Sequence, residues 1–353
     1  MVPRPSDEAL SQLFEKVGGG LEQMPSVTQL KWFGKKLDAE DAKSVAYVVS
    51  ACSALTGLYL ENNQLGDEGA TSICTALNGN ATLTSLELGR NQIGAAGARA
   101  IREVLCHKGS LTKLHLQANA LGQDGVKELS EALQINSTVT ALTLYRNGMG
   151  DEGAISIAEA LSVNKALTDV DISYNKIGSS GAKLVAEVLR TNCFLKRLNL
   201  SDNNVGPAGA ESIAEALRPN RSLHYLVLNN CQVGSQGAKA IAAALLVNSY
   251  LPCLYMKNNK IDDAAAIAIA EVLRSNGTLK ELDLGVNKIG PDGAKSIADA
   301  IRGNQTLRVL ILDSNKLGDT GKQELQDAVQ DWPRAVVQCV DKLARSFSIV
   351  CKR

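Results

Sequence analysis

The chain has 353 residues, and its 37 Lys and Arg balance 37 Asp and Glu, so it lacks both the basic excess that grips a polyanion and the acidic excess that imitates one. Apolar residues at 45% and charged residues at 21% are the proportions of a chain that buries a large core, not of one that stays disordered. Because Trp (2), Tyr (7) and Phe (4) are scarce, that core has to be built from Leu, Ile, Val and Ala.

No apolar run approaches the ~18 residues of a membrane span, and Met1 to Ser6 carry no basic region leading into an apolar stretch. The expectation is a cytoplasmic chain without a signal peptide, a transmembrane helix or a membrane partner. The first predicted element runs from Ser6 to Val17, where Leu10, Leu13, Phe14 and Val17 share one helical face. Ser6 suits the N-cap, and Asp7 and Glu8 suit the positive end of the helix dipole. An open repeat array needs a polar cap, so this amphipathic helix is expected to fold back over the first repeat. Gly18, Gly19 and Gly20 then form a hinge that completes segment 1-26.

From Leu55 onward the chain repeats every 28 residues with no insertion, in units starting at Leu55, Leu83, Leu111, Val139, Leu167, Leu195, Leu223, Leu251, Leu279 and Leu307. The fourth position is Leu except for Val170, the sixth is Leu except for Ile172 and Met256, and the ninth is Asn except for Cys231. One fixed period with these identities is a leucine-rich repeat pattern, LxxLxLxxNxI. The ten units fill 55-334, and 27-54 extends the period backwards in degenerate form (Leu30, Trp32, Leu37, Val45, Val49) as a capping repeat. Trp332 and Pro333 stop the last helix, and in the C-terminal cap and tail, 335-353, Ala335 to Val340 are expected to pair as a closing strand.

Within a unit the LxL alternation predicts a short strand whose two leucines point inward. The second half has helical spacing: Ala154, Ile157, Ala158 and Leu161 make one apolar stripe. Paired glycines such as Gly150 and Gly153 suit the turn into the helix, and an Asn near the helix end (Asn80, Asn136, Asn164, Asn192, Asn220) suits a left-handed C-cap. Helices need roughly 8–10 Å between axes but strands only about 4.8 Å, so the array is expected to curve. The fold class is therefore α/β, a leucine-rich repeat solenoid or horseshoe with parallel strands on the concave face and α-helices on the convex face. In the unit from Leu251, Asp262 and Ala265 replace the turn glycines, so that unit is expected to be the weak point through the cost of left-handed geometry at Asp262.

The pattern, for example Leu279 to Ile301, resembles the ribonuclease-inhibitor-like class of leucine-rich repeats, whose ninth position is Asn or Cys and whose second half is a full helix. The resemblance covers about residues 27 to 334. It is similar in detail to the repeats of NLRC3-type NOD-like receptors and more loosely to Ran GTPase-activating proteins, and it implies a horseshoe used for protein binding. Two departures stand out. A NOD-like receptor also carries a nucleotide-binding domain ahead of its repeats, which 26 residues cannot contain, and Ran GTPase-activating proteins usually end in an acidic tail, whereas this chain ends Cys351, Lys352, Arg353.

Signals of chemistry dissolve into the repeat. Gly290, Gly293, Lys295 and Ser296 imitate a phosphate-binding loop, but Ala294 stands where the second Gly must precede Lys, and GxxGAK recurs at Gly178 and Gly234. The glycosylation sequons at Asn80, Asn136, Asn220, Asn276 and Asn304 coincide with the helix-end Asn of each unit, and a sixth lies at Asn199. Eight cysteines (Cys52, Cys74, Cys106, Cys193, Cys231, Cys253, Cys339, Cys351) show no CxxC pair, and His107, His115 and His224 have no ligand spacing with them, so free thiols and no metal or cofactor are expected. The ninth-position Asn is read as satisfying backbone groups at the turn.

The positions left free are the third, fifth, seventh and eighth of each unit, which flank the strand leucines and face the concavity. Five of the 13 aromatics fall there, all tyrosine: Tyr59, Tyr145, Tyr174, Tyr225 and Tyr255. Tyrosine covers apolar area and keeps a polar tip, which suits a wet interface. The expected binding surface comprises Tyr145, Arg146, Asp169, Asp171, Tyr174, Tyr225, Tyr255 and Lys257. Charge along this face drifts from mildly basic (Glu87, Arg90, Lys113, His115, Arg146) through Asp169 and Asp171 to acidic (Glu281, Asp283, Asp313), an arrangement that steers a partner into register. The expected function is a monomeric, non-enzymatic scaffold that recognises a protein partner on its concave face, with no nucleic-acid partner. The alternatives are a GTPase-activating protein of the Ran type and a sensor-arm repeat protein related to NOD-like receptors.

Overall fold

The computed structural model describes residues 2–107 and 109–330 and the backbone of 348–350. They cluster as two compact units, Met1–Asn175 and Lys176–Arg353.

The first unit opens with helix α1 (Asp7–Val17), whose N-cap Ser6 accepts a hydrogen bond from the Ala9 amide at 3.1 Å. Its Leu10 and Leu13 are buried against α2 (Ala39–Ala51), and Lys16 reaches Asp41 of α2 at 2.6 Å. Strand β1 (Gln29–Lys31) precedes α2. The unit then alternates β2 (Gly57–Tyr59), α3 (Gly66–Leu77), β3 (Ser85–Glu87), α4 (Ala95–His107), β4 (Lys113–His115), α5 (Gly122–Ile135), β5 (Ala141–Thr143), α6 (Gly150–Val163) and β6 (Asp169–Asp171). Adjacent strands are parallel and in one register, each residue pairing with the one 28 positions on, as Leu30 with Leu58 and Leu142 with Val170. The helices cannot slip relative to the strands, because every unit has the same length. Strand leucines such as Leu58, Leu60, Leu114 and Leu116 and helix residues such as Ile101 and Leu129 are fully buried between the layers.

The second unit continues the alternation with α7 (Ser179–Leu189), β7 (Arg197–Asn199), α8 (Gly206–Leu217), β8 (Tyr225–Val227), α9 (Gly234–Leu245), β9 (Cys253–Tyr255), α10 (Asp263–Ser275), β10 (Glu281–Asp283), α11 (Pro291–Gly303), β11 (Val309–Ile311) and α12 (Gly318–Gln330). Pairing is again parallel, as Leu226 with Leu254 and Leu282 with Leu310. The edge at β11 is closed by β12 (Ser348–Val350), which runs antiparallel with Leu310 opposite Ile349. That closing strand comes from the last residues of the chain; Ala335 to Val340, where one was expected, lie outside the described residues.

Three details of the turns differ from the sequence expectation. The helix-end asparagines are not left-handed: Asn136, Asn164, Asn276 and Asn304 have φ between −70° and −79°. Each works through its side chain, as Asn164 shows: its Nδ2 donates to Leu133 O (2.6 Å) and Asn136 O (2.8 Å), while its Oδ1 accepts from the Ala166 and Leu167 amides, both at 2.8 Å. At Asn80, Asn136, Asn220 and Asn304 the nitrogen a glycan would need is likewise buried and donating to a carbonyl.

The first turn glycine also occurs in two geometries. In Gly66, Gly122, Gly150, Gly206, Gly234 and Gly318 φ is positive, between 58° and 67°. In Gly178 and Gly290 it is extended, and Asp262 shares that state with φ −103°. Asp262 therefore carries no left-handed strain. Its carboxylate caps α10 by accepting from the Ala265 amide at 3.1 Å, and its own amide donates to Ser235 Oγ at 3.1 Å. What Ala265 changes is spacing. At the equivalent Gly293 a Cβ would meet Asp263 Oδ1 at 2.6 Å and Ala266 Cβ at 2.9 Å. Among the neighbouring repeat helices within each unit, α9 and α10 are the least closely apposed.

Candidate protein-binding surface

The turn after each strand sets the geometry of the outward side chains. Its ninth residue forms a ladder of hydrogen bonds between repeats, which Asn119 illustrates. Asn119 Nδ2 donates to Leu116 O of its own repeat and Leu88 O of the preceding one, both at 2.9 Å. Its Oδ1 accepts from the Asn91 amide (2.9 Å) and the Ile93 amide (3.0 Å). Buried backbone groups that the strands leave behind are thereby paired. Cys231 supplies the donor half alone, from Sγ to Leu200 O at 3.1 Å, and burial pushes its thiol up to about 12, so it is no nucleophile.

The eighth residue carries an unexpected conformation. Asn62, Arg90, Ala118, Arg146, Tyr174, Asp202, Asn230, Asn258, Val286 and Ser314 all have φ between 54° and 60°, and none is glycine. Left-handed backbone costs a non-glycine residue roughly 1–2 kcal/mol. It is held by the ladder residue that follows and by an amide bond into the next repeat, as from Arg146 N to Ser173 O at 3.0 Å. The eighth side chain is thus aimed by the scaffold and not by its own preference.

The eight residues expected to form the binding surface divide between the two units, five in the first and three in the second. In the first, Tyr145 and Tyr174 pack edge to face, with ring centroids 5.9 Å apart and planes at 65°. The Arg146 guanidinium lies over the Tyr174 ring, 5.6 Å from its centroid. Tyr145 is half-buried, whereas Arg146 and Tyr174 are exposed. Asp169 and Asp171 are half-buried on β6, and Asp171 Oδ1 accepts from the Ser173 amide (2.9 Å) and Ser173 Oγ (2.6 Å). Asp171 thereby braces the turn that carries Tyr174.

In the second unit Tyr225 is exposed with the Arg197 guanidinium over its ring at 5.9 Å, and the half-buried Tyr255 donates its hydroxyl to Glu281 Oε2. Sequence reasoning missed Cys253, which occupies an outward strand position and is nonetheless only 4% exposed. Burial pushes its thiol up to about 11. The Cys253 thiol, partial burial and Glu281 in turn hold the Tyr225 phenol above its ordinary range, and burial with the Glu281 bond raises Tyr255. Both phenols are hydrogen-bond donors at neutral pH, not bases. Lys257 is exposed, and it partly offsets the upward push that burial gives the Asp283 carboxyl.

A regularity unites the tyrosines. Lys31 lies over Tyr59, Arg146 over Tyr174 and Arg197 over Tyr225, and in each pair the cation is 28 residues earlier, at the same position of the preceding repeat. In-register strand pairing stacks equal positions, so a cation followed one period later by Tyr becomes a cation–π pair. Reading the sequence at that offset would have found them. Among the described residues no group of three His, Cys, Asp or Glu side chains could hold a metal ion, and no helix is long and apolar enough to cross a membrane.

The family model for the leucine-rich repeat matches residues 51–74, 79–101, 108–130, 136–158, 163–186, 191–214, 220–242, 275–298 and 303–325, more than half of the chain. The chain is a leucine-rich repeat protein. The matches skip residues 243–274, the stretch in which Asp262 and Ala265 replace glycine. Among solved structures, this leucine-rich repeat chain is similar to an internalin from Listeria monocytogenes, at 20% identity and a TM-score of 0.53, over 90% of this chain and 91% of that one. At that identity the likeness is one of fold. The tropomodulin C-terminal domain from Caenorhabditis elegans matches at 18% identity and a TM-score of 0.33, over 35% of this chain and 77% of that one. No curated protein matches the sequence. Leucine-rich repeat proteins generally bind other proteins.

Proposed function

We propose that this leucine-rich repeat protein is a non-enzymatic recognition scaffold that binds a protein partner on the outward face of its strands, through Tyr145, Arg146, Asp169, Asp171 and Tyr174 in the first unit and Tyr225, Tyr255 and Lys257 in the second. The observation that carries the reading is the set of exposed tyrosines braced by a cation from the repeat before, at Tyr174 and Tyr225. A ring fixed in this way loses little conformational entropy on docking, and Tyr and Arg are frequent binding hot spots. A full helix in every repeat and Asn or Cys at the ninth position support a place in the ribonuclease-inhibitor-like class. A cytoplasmic location agrees with the free thiols among the described residues.

The test is a double substitution, Tyr174→Ala with Tyr225→Ala, followed by thermal melting and by affinity capture from cell lysate against the parent chain. Both side chains face away from the leucine core, so melting should be nearly unchanged, within about 0.5 kcal/mol each. Capture should weaken by about 2 kcal/mol or more for a true hot spot. Unchanged capture would move the site to the helical face or α1. Single-turnover GTP hydrolysis by Ran-type GTPases separates this reading from a GTPase-activating role, because acceleration by orders of magnitude would overturn the scaffold.

A further inference from the structure

Arg146 differs from the other arginines placed on the first unit and its helices. Arg90 pairs with Glu61 at 3.6 Å, and Arg99 and Arg102 are held by Glu128 at 3.0 and 2.8 Å. The Arg146 guanidinium makes neither an ion pair nor a hydrogen bond among the described residues. It is not loose, however. Its backbone is fixed in the left-handed turn, its guanidinium carbon lies 5.6 Å from the Tyr174 ring centroid, and Tyr174 is itself packed edge to face with Tyr145. A contact with the ring uses none of the five N–H donors of the guanidinium, which form a planar fork and have no hydrogen-bond acceptor among the described residues. A fork of this kind matches the two oxygens of a carboxylate.

From this geometry we infer that Arg146, seated on Tyr174 and Tyr145, is a receptor for one carboxylate side chain of the protein partner, an Asp or Glu in a segment laid across the strands. The inference rests on the binding reading above and names the chemistry that the surface selects. Asp169 and Asp171 stand on β6, the strand that leads into Tyr174, and set the selectivity. Their charge repels a polyanion approaching the same place, so the seat accepts an isolated acidic residue and disfavours an acidic run or a phosphate-rich ligand.

The experiment uses the full chain and a displayed library of random dodecapeptides, selected on the parent protein and then re-assayed on Arg146→Ala, Tyr225→Ala and Tyr174→Ala. The expected outcome is a set of binders that share one Asp or Glu and lose about tenfold or more in affinity on Arg146→Ala, the scale of a charged hydrogen bond. A resynthesised binder with that acidic residue changed to Gln should lose as much. Melting of Arg146→Ala should match the parent, because the side chain is exposed. Binders that fall on Tyr225→Ala yet keep their affinity on Arg146→Ala would overturn the carboxylate seat and leave the strand-face reading standing. Binders indifferent to all three substitutions, or no binders, would overturn both. A resynthesised peptide that gains affinity when phosphoserine replaces the acidic residue would show a phosphate receptor and overturn the assignment to a carboxylate.

Discussion

The outward faces of the two units are built on one backbone, and two clusters on them, one around Arg146 and Tyr174 in the first unit and one around Tyr255 and Asn258 in the second, are finished in opposite ways. In the first cluster, polar groups are left open: Arg146 keeps its donors and Tyr174 is half exposed. In the second, they close on one another. Tyr255 gives its hydroxyl to Glu281, Asn258 donates to Asn230 at 2.6 Å, and Asn230 donates to Asp202 at 2.9 Å along the eighth positions of successive repeats. The repeat therefore fixes where outward side chains stand, while whether they are free to bind depends on what stands 28 residues away.

The largest expected effect tests whether the backbone is the same in both units. Asn119→Ala in the first and Asn259→Ala in the second each remove a ladder residue, the latter with Nδ2 bonds to Leu228 O (2.6 Å) and Lys257 O (3.2 Å) and Oδ1 bonds from the Cys231 and Val233 amides (3.0 and 3.1 Å). Each should cost about 3 kcal/mol or more in urea unfolding, because several buried backbone groups lose a partner at once. A loss below about 1 kcal/mol in one unit alone would break the equivalence.

The difference in finish is sharpened by removing one oxygen from each face. Tyr255→Phe strands the Glu281 carboxylate and should lower stability by about 1 kcal/mol, whereas Tyr174→Phe should leave melting unchanged. Equal shifts would mean that the second face is as open as the first.

The smallest effect concerns reactivity. Among the described residues each unit exposes one thiol, Cys106 and Cys193, and buries two, Cys52 and Cys74 in the first and Cys231 and Cys253 in the second; burial pushes Cys74 and Cys231 up to about 12 and Cys253 to about 11. Iodoacetamide at pH 8, read by peptide mass spectrometry, should label the exposed pair and spare these buried four. A thiol whose folded pKa lies above its unfolded value favours the folded state below the latter. That contribution is lost as pH rises from about 9 through 11 to 12, so melting should fall across this alkaline window. Labelling of Cys253 at pH 8 would show that its burial is readily lost in solution.

Much of this was legible because a repeat states its own hydrogen bonds. An Asn recurring at the ninth position means a ladder, and LxL at a constant period means in-register parallel strands. The rest depended on side chains of neighbouring repeats. The helix-end Asn164 could have been a left-handed cap or a side-chain bridge, and only the carbonyls of the preceding repeat decide for the bridge. Asp262 looked strained on its own, yet Ser235, 27 residues earlier, receives its amide and makes an extended turn the better choice. Nothing in the sequence separates Cys253, at an outward strand position, from its exposed neighbours, and its burial shows only in the structure. The left-handed eighth residue had only a partial signature, Asn62, Asp202, Asn230 and Asn258, since residues as unlike as Arg146, Ala118 and Val286 also occupy it.

That last feature has a consequence for how such a surface changes over time. Because the turn is enforced from outside, the residue within it is released from any duty to shape the chain. Even a β-branched valine is tolerated there at φ 55°. Each repeat thus offers one socket whose direction is set in advance and whose contents can be exchanged without re-registering the strands. A recognition surface of this kind can be rewritten one side chain at a time, repeat by repeat, with the fold as a bystander.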